Sequence, residues 1–313
     1  MLRVVVAGVL MVCWFASTAG AERVPVLLDC DTANEIDDLY AIVRAVAEPG
    51  FEIVGLTSAQ WRTQPNAPEN TVEPSQRLNE KLLRLMGRLD IPHPMGANEA
   101  MEDAATPQDS PAARFIVEQA KAMPAGRKLT VISTGAMTNV ASAIAMEPSI
   151  ASKIRCYSMG LRYEDGQWNT KEFNARNDLH AVDCLFLAEG LEWHVMTATA
   201  SRVLRFKKKR AVEELDGKGG VYDFIAEYWV EFDPPWKPGM STDTWTMWDV
   251  AAVEAVRRPE LAREIEVPVP ARLGSDRRVW VYTKIDAEAM ERHFWDVLRE
   301  YRAASAKDGA VGR

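Results

Sequence analysis

From Arg23 onward, short apolar runs alternate with longer stretches in which apolar side chains recur every three or four positions. Uninterrupted short runs suit strands covered on both faces, and the three-to-four spacing suits amphipathic helices. The pattern predicts strands at Val24 to Leu28, Phe51 to Thr57, Lys128 to Ile132, Ile154 to Met159 and His194 to Thr197. Between them it predicts helices at Leu39 to Ala47, Ser75 to Met86, Ala112 to Met123, Thr138 to Met146 and Ala181 to Ala188. Pro25 is tolerated at the first position of its strand, and Glu48-Pro49-Gly50 is a helix stop. Strand and helix alternating with few hairpin signals specify an α/β fold with a mostly parallel central sheet flanked by helices.

The last third is less regular. It reads as a basic run on a solvated helix face (Lys207 to Arg210), a helix near Tyr222 to Val230 and a loop rich in Pro and Trp from Asp233 to Trp245. A helix from Asp249, strands near Glu266 and Val279, and a closing helix from Ala287 follow. No repeat and no sharp boundary divides the chain, so one domain is expected.

The N-terminus has a different character. Arg3 precedes an apolar stretch from Val4 to Phe15, then Ser17, Thr18 and Ala19-Gly20-Ala21. A basic start, a short apolar middle and an A-x-A end form the pattern of a secretory signal peptide, too short for a stable membrane span. The expected organisation is a signal peptide over 1–21 and an α/β domain over 22–313, exported to the periplasm or the extracellular space. A buried N-terminal helix is the competing reading, and a lipoprotein site at Cys13 fits poorly because bulky Val12 precedes it. Of the 4 cysteines, Cys30, Cys156 and Cys184 would remain, each in an apolar run and none in a C-x-x-C pair. Buried thiols, rather than disulfides or a zinc site, are expected.

Charge narrows the function classes. The formal net charge of −8 argues against a nucleic-acid polymer as partner, because phosphates demand a basic face. Part of the acidic surplus is concentrated just past the first strand. Asp29, Asp31, Glu35, Asp37 and Asp38 fall within ten residues, where ligands of open α/β sheets bind. So many carboxylates repel one another unless a cation compensates, and an all-oxygen set suits calcium or magnesium. Asp37 and Asp38 open a helix, where neighbours diverge by about 100 degrees. One can therefore bind a metal while the other faces substrate as a base. Acids in a helix's first turn also simply complement its dipole, which is the plainer explanation of the pair.

Two families open in this way. D-x-D-x-T at Asp29, Asp31 and Thr32 resembles the haloacid dehalogenase-like phosphatases, in which Asp29 would be a phosphoryl nucleophile, but their later acid pair is missing. The fuller resemblance is to the inosine–uridine-preferring nucleoside hydrolases, which open with D-x-D, a short loop and D-D. Ser133-Thr134-Gly135-Ala136-Met137-Thr138-Asn139-Val140-Ala141 is similar to that family's T-G-x-L-T-N-x-A turn. Met159-Gly160, Glu172-Phe173-Asn174 and Asp249-Val250-Ala251-Ala252 resemble its M-G-G, E-F-N and D-x-x-A motifs, in order.

The resemblance implies hydrolysis of the N-glycosidic bond of ribonucleosides, with a small-molecule nucleoside as partner. It implies a calcium ion held by Asp31, Asp38, Asp249 and the Thr134 carbonyl, with Asp29 behind them; magnesium is the other hard cation that fits. Asp37 would be the general base, and Glu172 and Asn174 would bind sugar hydroxyls. A binding protein without catalysis on the same fold is a further alternative, and a homo-oligomer is compatible with the sequence.

Three departures stand out. Five residues, Thr32 to Ile36, separate Asp31 from Asp37 where the common form has three; Asn34 could reach the ribose from there. Trp248 stands where relatives preferring inosine and uridine carry a His, as in the purine-specific branch, where an aromatic wall stacks on the base. Trp61 and Trp245 are further candidate walls. Ala59-Gln60-Trp61-Arg62 occupies the region of the family's asparagine after the second strand.

Overall fold

The computed structural model describes residues 22–311. The stretch read as a signal peptide lies outside the described residues. The chain runs β1 (Val24–Cys30), α1 (Asp37–Ala47), β2 (Phe51–Ser58), α2 (Val72–Leu85), α3 (Pro111–Ala122), β3 (Leu129–Ser133), α4 (Thr138–Met146) and β4 (Ile154–Met159). A hairpin of β5 (Arg162–Glu164) and β6 (Gln167–Asn169) follows, then α5 (Phe173–Asn177), α6 (Leu179–Leu187), β7 (Glu192–Met196) and α7 (Ala198–Ser201). The remainder comprises β8 (Arg205–Lys207), α8 (Lys208–Leu215), α9 (Gly220–Glu231), β9 (Thr244–Thr246), α10 (Trp248–Arg257), β10 (Ala262–Pro268), β11 (Arg278–Ile285) and α11 (Ala287–Val311).

Seven strands form the main sheet in the order β10-β11-β7-β4-β3-β1-β2. Every neighbouring pair is parallel except β10 with β11, which closes one edge antiparallel. Alternate side chains of β1 enter different cores: Val26 and Leu28 pack with α1, α9, α10 and α11, and Leu27 packs with α3, α4 and α6. Burial on both faces explains why β1 is apolar without interruption. The predicted strands and helices are present, with small differences. Helix α2 starts three residues before Ser75, since Pro74 lies in its first turn, where its missing N–H would have had no helical partner. The basic run is divided: Lys207 ends β8 and only Lys208 onward is helical, with Arg210 paired to Glu291 at 3.0 Å. The sequence pattern also gave no warning of β5 and β6, whose three-residue strands are too short to show a period.

The chain turns from β1 to β2 on one side and returns to β3 on the other, so the strand order switches between β1 and β3. At such a point the two carboxyl-end loops part and leave a crevice. Asp29 lies opposite Ser133 in register, and the Thr134 N–H donates to the Asp29 carbonyl at 2.8 Å. Among the described residues no helix is long and apolar enough to cross a membrane. Cys30, Cys156 and Cys184 are free and buried, as read from their apolar surroundings.

Candidate active site

A cavity of about 280 Å³ opens at this crevice, the size expected of a small-ligand site. Five segments deliver its acids and sugar-binding candidates: the loop after β1, the first turn of α1, the turn after β3, the start of α5 and the start of α10. Asp31, Asn34, Asp37, Asp38, Thr134, Glu172, Asn174, Trp248 and Asp249 all line it. Nine positions spread over more than two hundred residues of sequence thus converge on one space.

Its floor is a carboxylate cluster. Asp37, Asp38 and Asp249 each offer an oxygen within 4.8 Å of the others. Asp31 is hydrogen-bonded to Asp38, and Asn34 Nδ2 donates to Asp31 Oδ2 at 3.2 Å. The Thr134 hydroxyl donates to Asp38 Oδ1 at 2.8 Å, and the Asp249 N–H donates to Asp37 Oδ2 at 3.3 Å. Burial, reinforced by the Asp38 charge, pushes Asp37 up to about 7. Burial and then neighbouring carboxylates hold Asp31 and Asp249 well above the ordinary range, and burial also raises Asp38. These are acids that resist ionising together, which is what a divalent cation reverses. Mere helix capping does not account for Asp37 and Asp38, because both are buried and share their space with Asp249 of another helix.

The donor set fits a hard cation: clustered, buried and composed of oxygen. The Thr134 carbonyl faces the same region and accepts from Asn174 Nδ2 at 2.6 Å, while Met159 O accepts from the same nitrogen at 3.1 Å. Asn174 therefore grips two strand-end carbonyls. Glu172 caps α5: its Oε2 accepts from Leu161 N at 2.9 Å and Ala175 N at 3.2 Å. Two glycines make the approach possible. A Cβ on Gly135 would lie 2.8 Å from the Cβ atoms of Asp31 and Ala59, and one on Gly160 would lie 2.9 Å from Glu172 Oε2.

Asp29 sits beneath the cavity without lining it. It accepts from Thr57 Oγ1 at 2.7 Å, Asn139 Nδ2 at 2.8 Å and Ser133 Oγ at 3.4 Å, and burial nonetheless pushes it up to about 6. Enclosed by three donors and fully buried, it has no open face from which to attack a phosphate, which disfavours the phosphatase reading.

Trp61 is the candidate that the structure does not bring to the cavity. Its ring is buried, does not line the cavity, and its indole N–H donates to the Ser75 hydroxyl of α2 at 3.2 Å. Trp245 does not line the cavity either; its indole N–H donates at 3.2 Å to Oε2 of Glu35, which does. Trp248, the first residue of α10, does line the cavity. None of the four histidines does so. His293 instead bonds Glu254 at 2.6 Å.

Glu35, Arg162, Lys171, Phe173 and Arg176 line the cavity although sequence reasoning assigned them no role. Burial and the Asp37 charge hold Glu35 well above the usual carboxylate range. Its place inside the acid-rich loop was the available signal; the cations had none.

The chain can now be set beside known proteins. Pyrimidine-specific ribonucleoside hydrolase RihA of Escherichia coli O9:H4 (strain HS) is 30% identical over 186 residues, covering 52% of this chain and 56% of that protein. The match thus spans about half the length of such curated relatives. The purine-preferring ribonucleoside hydrolase from Gardnerella vaginalis shares the fold with a TM-score of 0.64 at 18% identity, over 89% of this chain and 99% of that one. The inosine-uridine preferring nucleoside hydrolase from Bacillus anthracis does so with a TM-score of 0.65 at 18% identity and the same coverage, 89% and 99%. The family model for inosine-uridine preferring nucleoside hydrolase matches residues 26–296, and with nearly the whole described chain inside that match, the protein belongs to the inosine-uridine preferring nucleoside hydrolase family.

Proposed function

We propose that this chain is a calcium-dependent hydrolase of the N-glycosidic bond of ribonucleosides, releasing free base and ribose. The observation that carries the reading is the buried set Asp37, Asp38 and Asp249 at the strand-order switch, in a cavity that Trp248 also lines. Family membership supports it. Asp31, Asp38, Asp249 and the Thr134 carbonyl would hold the cation. When bound, it supplies Lewis-acid chemistry, lowering the pKa of a water and anchoring vicinal sugar hydroxyls.

Asp37 accepts one proton of the attacking water as its oxygen bonds to the anomeric carbon. The carbon–nitrogen bond breaks, and the base departs with the electron pair and takes a proton from solvent. Positive charge develops on the sugar ring in such a transition state, and nearby carboxylates stabilise it. Glu172 Oε1 and the Asn174 carbonyl oxygen are the acceptors on the sugar side, since Asn174 Nδ2 is spent on the backbone. Trp248 stacks on the base, and a purine presents the larger face to it.

The test is a panel of purine and pyrimidine ribonucleosides with calcium, with and without chelator, followed for free base. Release with calcium that chelation abolishes is expected. No release from any member, with tight binding of the same nucleosides, would replace the enzyme with a binding protein. Export is part of the proposal and rests on the Arg3 to Ala21 pattern; N-terminal sequencing of the secreted product should begin at Glu22.

A further inference from the structure

The cavity that gathers the acids also carries three cations, Arg162, Lys171 and Arg176. They come from one segment: β5, the turn after β6, and α5. If they served to neutralise the acids, they would be paired with them. None forms an ion pair among the described residues; Arg176 instead lies over the Phe173 ring at 5.5 Å. Some exposed arginines elsewhere are paired, as with Arg257 to Glu48 at 2.8 Å and Arg299 to Glu214. Positive side chains kept free of carboxylates, inside a cavity rich in them, are in place for a ligand's negative charge.

The backbone is also bent to bring them there. Past the end of β4, Gly160 has a φ of 148° and Leu161 a φ of 58°. A left-handed leucine is costly. The neighbourhood sustains it: Leu161 is wholly buried, its N–H donates to Glu172 at 2.9 Å and its carbonyl accepts from Ala198 N at 3.0 Å. This turn sends the chain out of the sheet into β5, with Arg162 next in sequence.

We propose that the substrate carries a phosphate on its sugar, and that Arg162, Lys171 and Arg176 hold it: a nucleoside 5′-monophosphate. This rests on the nucleoside-hydrolase reading of the same site. A ribose whose 2′- and 3′-hydroxyls meet the acid cluster, and whose base meets Trp248, has one remaining substituent, the 5′ carbon. That carbon is left to the side built by residues 160–176, where Glu172 and the cations stand together. The bond broken remains the carbon–nitrogen bond, water supplies the new hydroxyl, and the products are free base and ribose 5-phosphate; the phosphate ester is untouched. Guanidinium groups suit this task because their forked donors match phosphate oxygens.

Base release by the calcium-loaded full chain is to be compared for inosine with inosine 5′-monophosphate and for uridine with uridine 5′-monophosphate. The monophosphates are expected to show at least tenfold higher kcat/KM, with a preference that declines as salt is raised and collapses in R162A/K171A/R176A. Calorimetry with ribose 5-phosphate and with ribose gives a readout free of turnover: at least tenfold tighter binding of the phosphate is expected, lost in the same variant and partly kept in R162K. Cleavage of nucleosides with no gain for monophosphates overturns this inference and leaves the nucleoside hydrolase standing. Phosphate-dependent binding without cleavage of any substrate supports the phosphate site and rejects the hydrolase. Equal binding of ribose and ribose 5-phosphate overturns the inference whether or not the enzyme turns over.

Discussion

Helices α1 and α10 carry buried charge at two levels, and the two levels are built on opposite principles. At their first turns Asp37, Asp38 and Asp249 are packed together with no positive group among them. Further along the same helices Arg44 Nε meets Glu254 Oε1 at 2.7 Å, Glu48 joins from the end of α1, and His293 bonds Glu254 at 2.6 Å. Arg44 and Glu254 are wholly buried, as the acids nearly are. The matched cluster balances its charges within the fold and ties one helix to the other. The acid cluster has no such internal partner, and burial with mutual repulsion raises the pKa of its members, an arrangement that suits a divalent cation. Because the lower cluster locks the helices together, the upper carboxylates keep their spacing despite repelling one another.

The largest effect should come from breaking the upper level. Asp37→Asn should lower kcat for nucleoside hydrolysis by about 10²- to 10⁴-fold, the usual worth of a general base. Its melting temperature in metal-free buffer should be no lower than that of the parent, since a buried like charge has been removed; a lower one would mean that Asp37 is structural. Next is the lower level. Arg44→Met should cost about 3–5 kcal/mol in urea unfolding because Glu254 and Glu48 lose their buried partner. The double variant Arg44→Met/Glu254→Leu should recover part of that loss, and its failure to do so would show that packing, rather than charge matching, dominates there.

Calcium provides a third test, of intermediate size. At a concentration a hundred times its dissociation constant, it should stabilise the protein by about 2.7 kcal/mol, an increment that Asp249→Asn should largely remove. The pH dependence has a definite sign. Asp37 titrates near 3.8 when unfolded and near 7 in the metal-free fold, so the fold holds the proton more tightly. Its contribution is intact below pH 4 and is lost as pH rises through about 7. The melting temperature of the chelated protein should therefore fall between about pH 4 and 7, and calcium should flatten that fall. The smallest effects separate two tryptophans. Trp248→Ala should raise KM by an amount worth about 1–3 kcal/mol, the range for a base stacked on an aromatic ring. Trp61→Phe should leave KM unmoved and cost about 0.5–1.5 kcal/mol of stability, for the bond to Ser75.

Much of this site was legible because its parts lie at strand ends, where chain order and spatial position coincide. Asp31, Asp37 and Asp38 were conspicuous as acids beside an apolar strand, and Thr134 and Asn139 followed a second strand in a turn of familiar composition. Asn139 proves to hold Asp29 at 2.8 Å, a pairing across 110 positions that explains why that turn carries an asparagine. Trp61 was misjudged for a plain reason. A tryptophan after a strand is a wall only if its ring reaches the cavity, and this ring is buried beside α2, bonded to Ser75. The strand near Glu266 was foreseen, but not that β10 runs antiparallel, because apolar pattern reports burial and not strand direction.

What the sequence determined alone was the alternation of strand and helix, the sheet covered on both faces, and an excess of carboxylates at the end of β1. These follow from local pattern, since apolar period and charge density need no knowledge of distant residues. Tertiary structure decided which of those acids share a space, which tryptophan faces it, and that Arg162, Lys171 and Arg176 enter it unpaired. Such facts depend on which elements meet and on a backbone turn at Gly160 and Leu161. A cation's fate is set by the carboxylates within reach of it, and reach is a property of the folded chain.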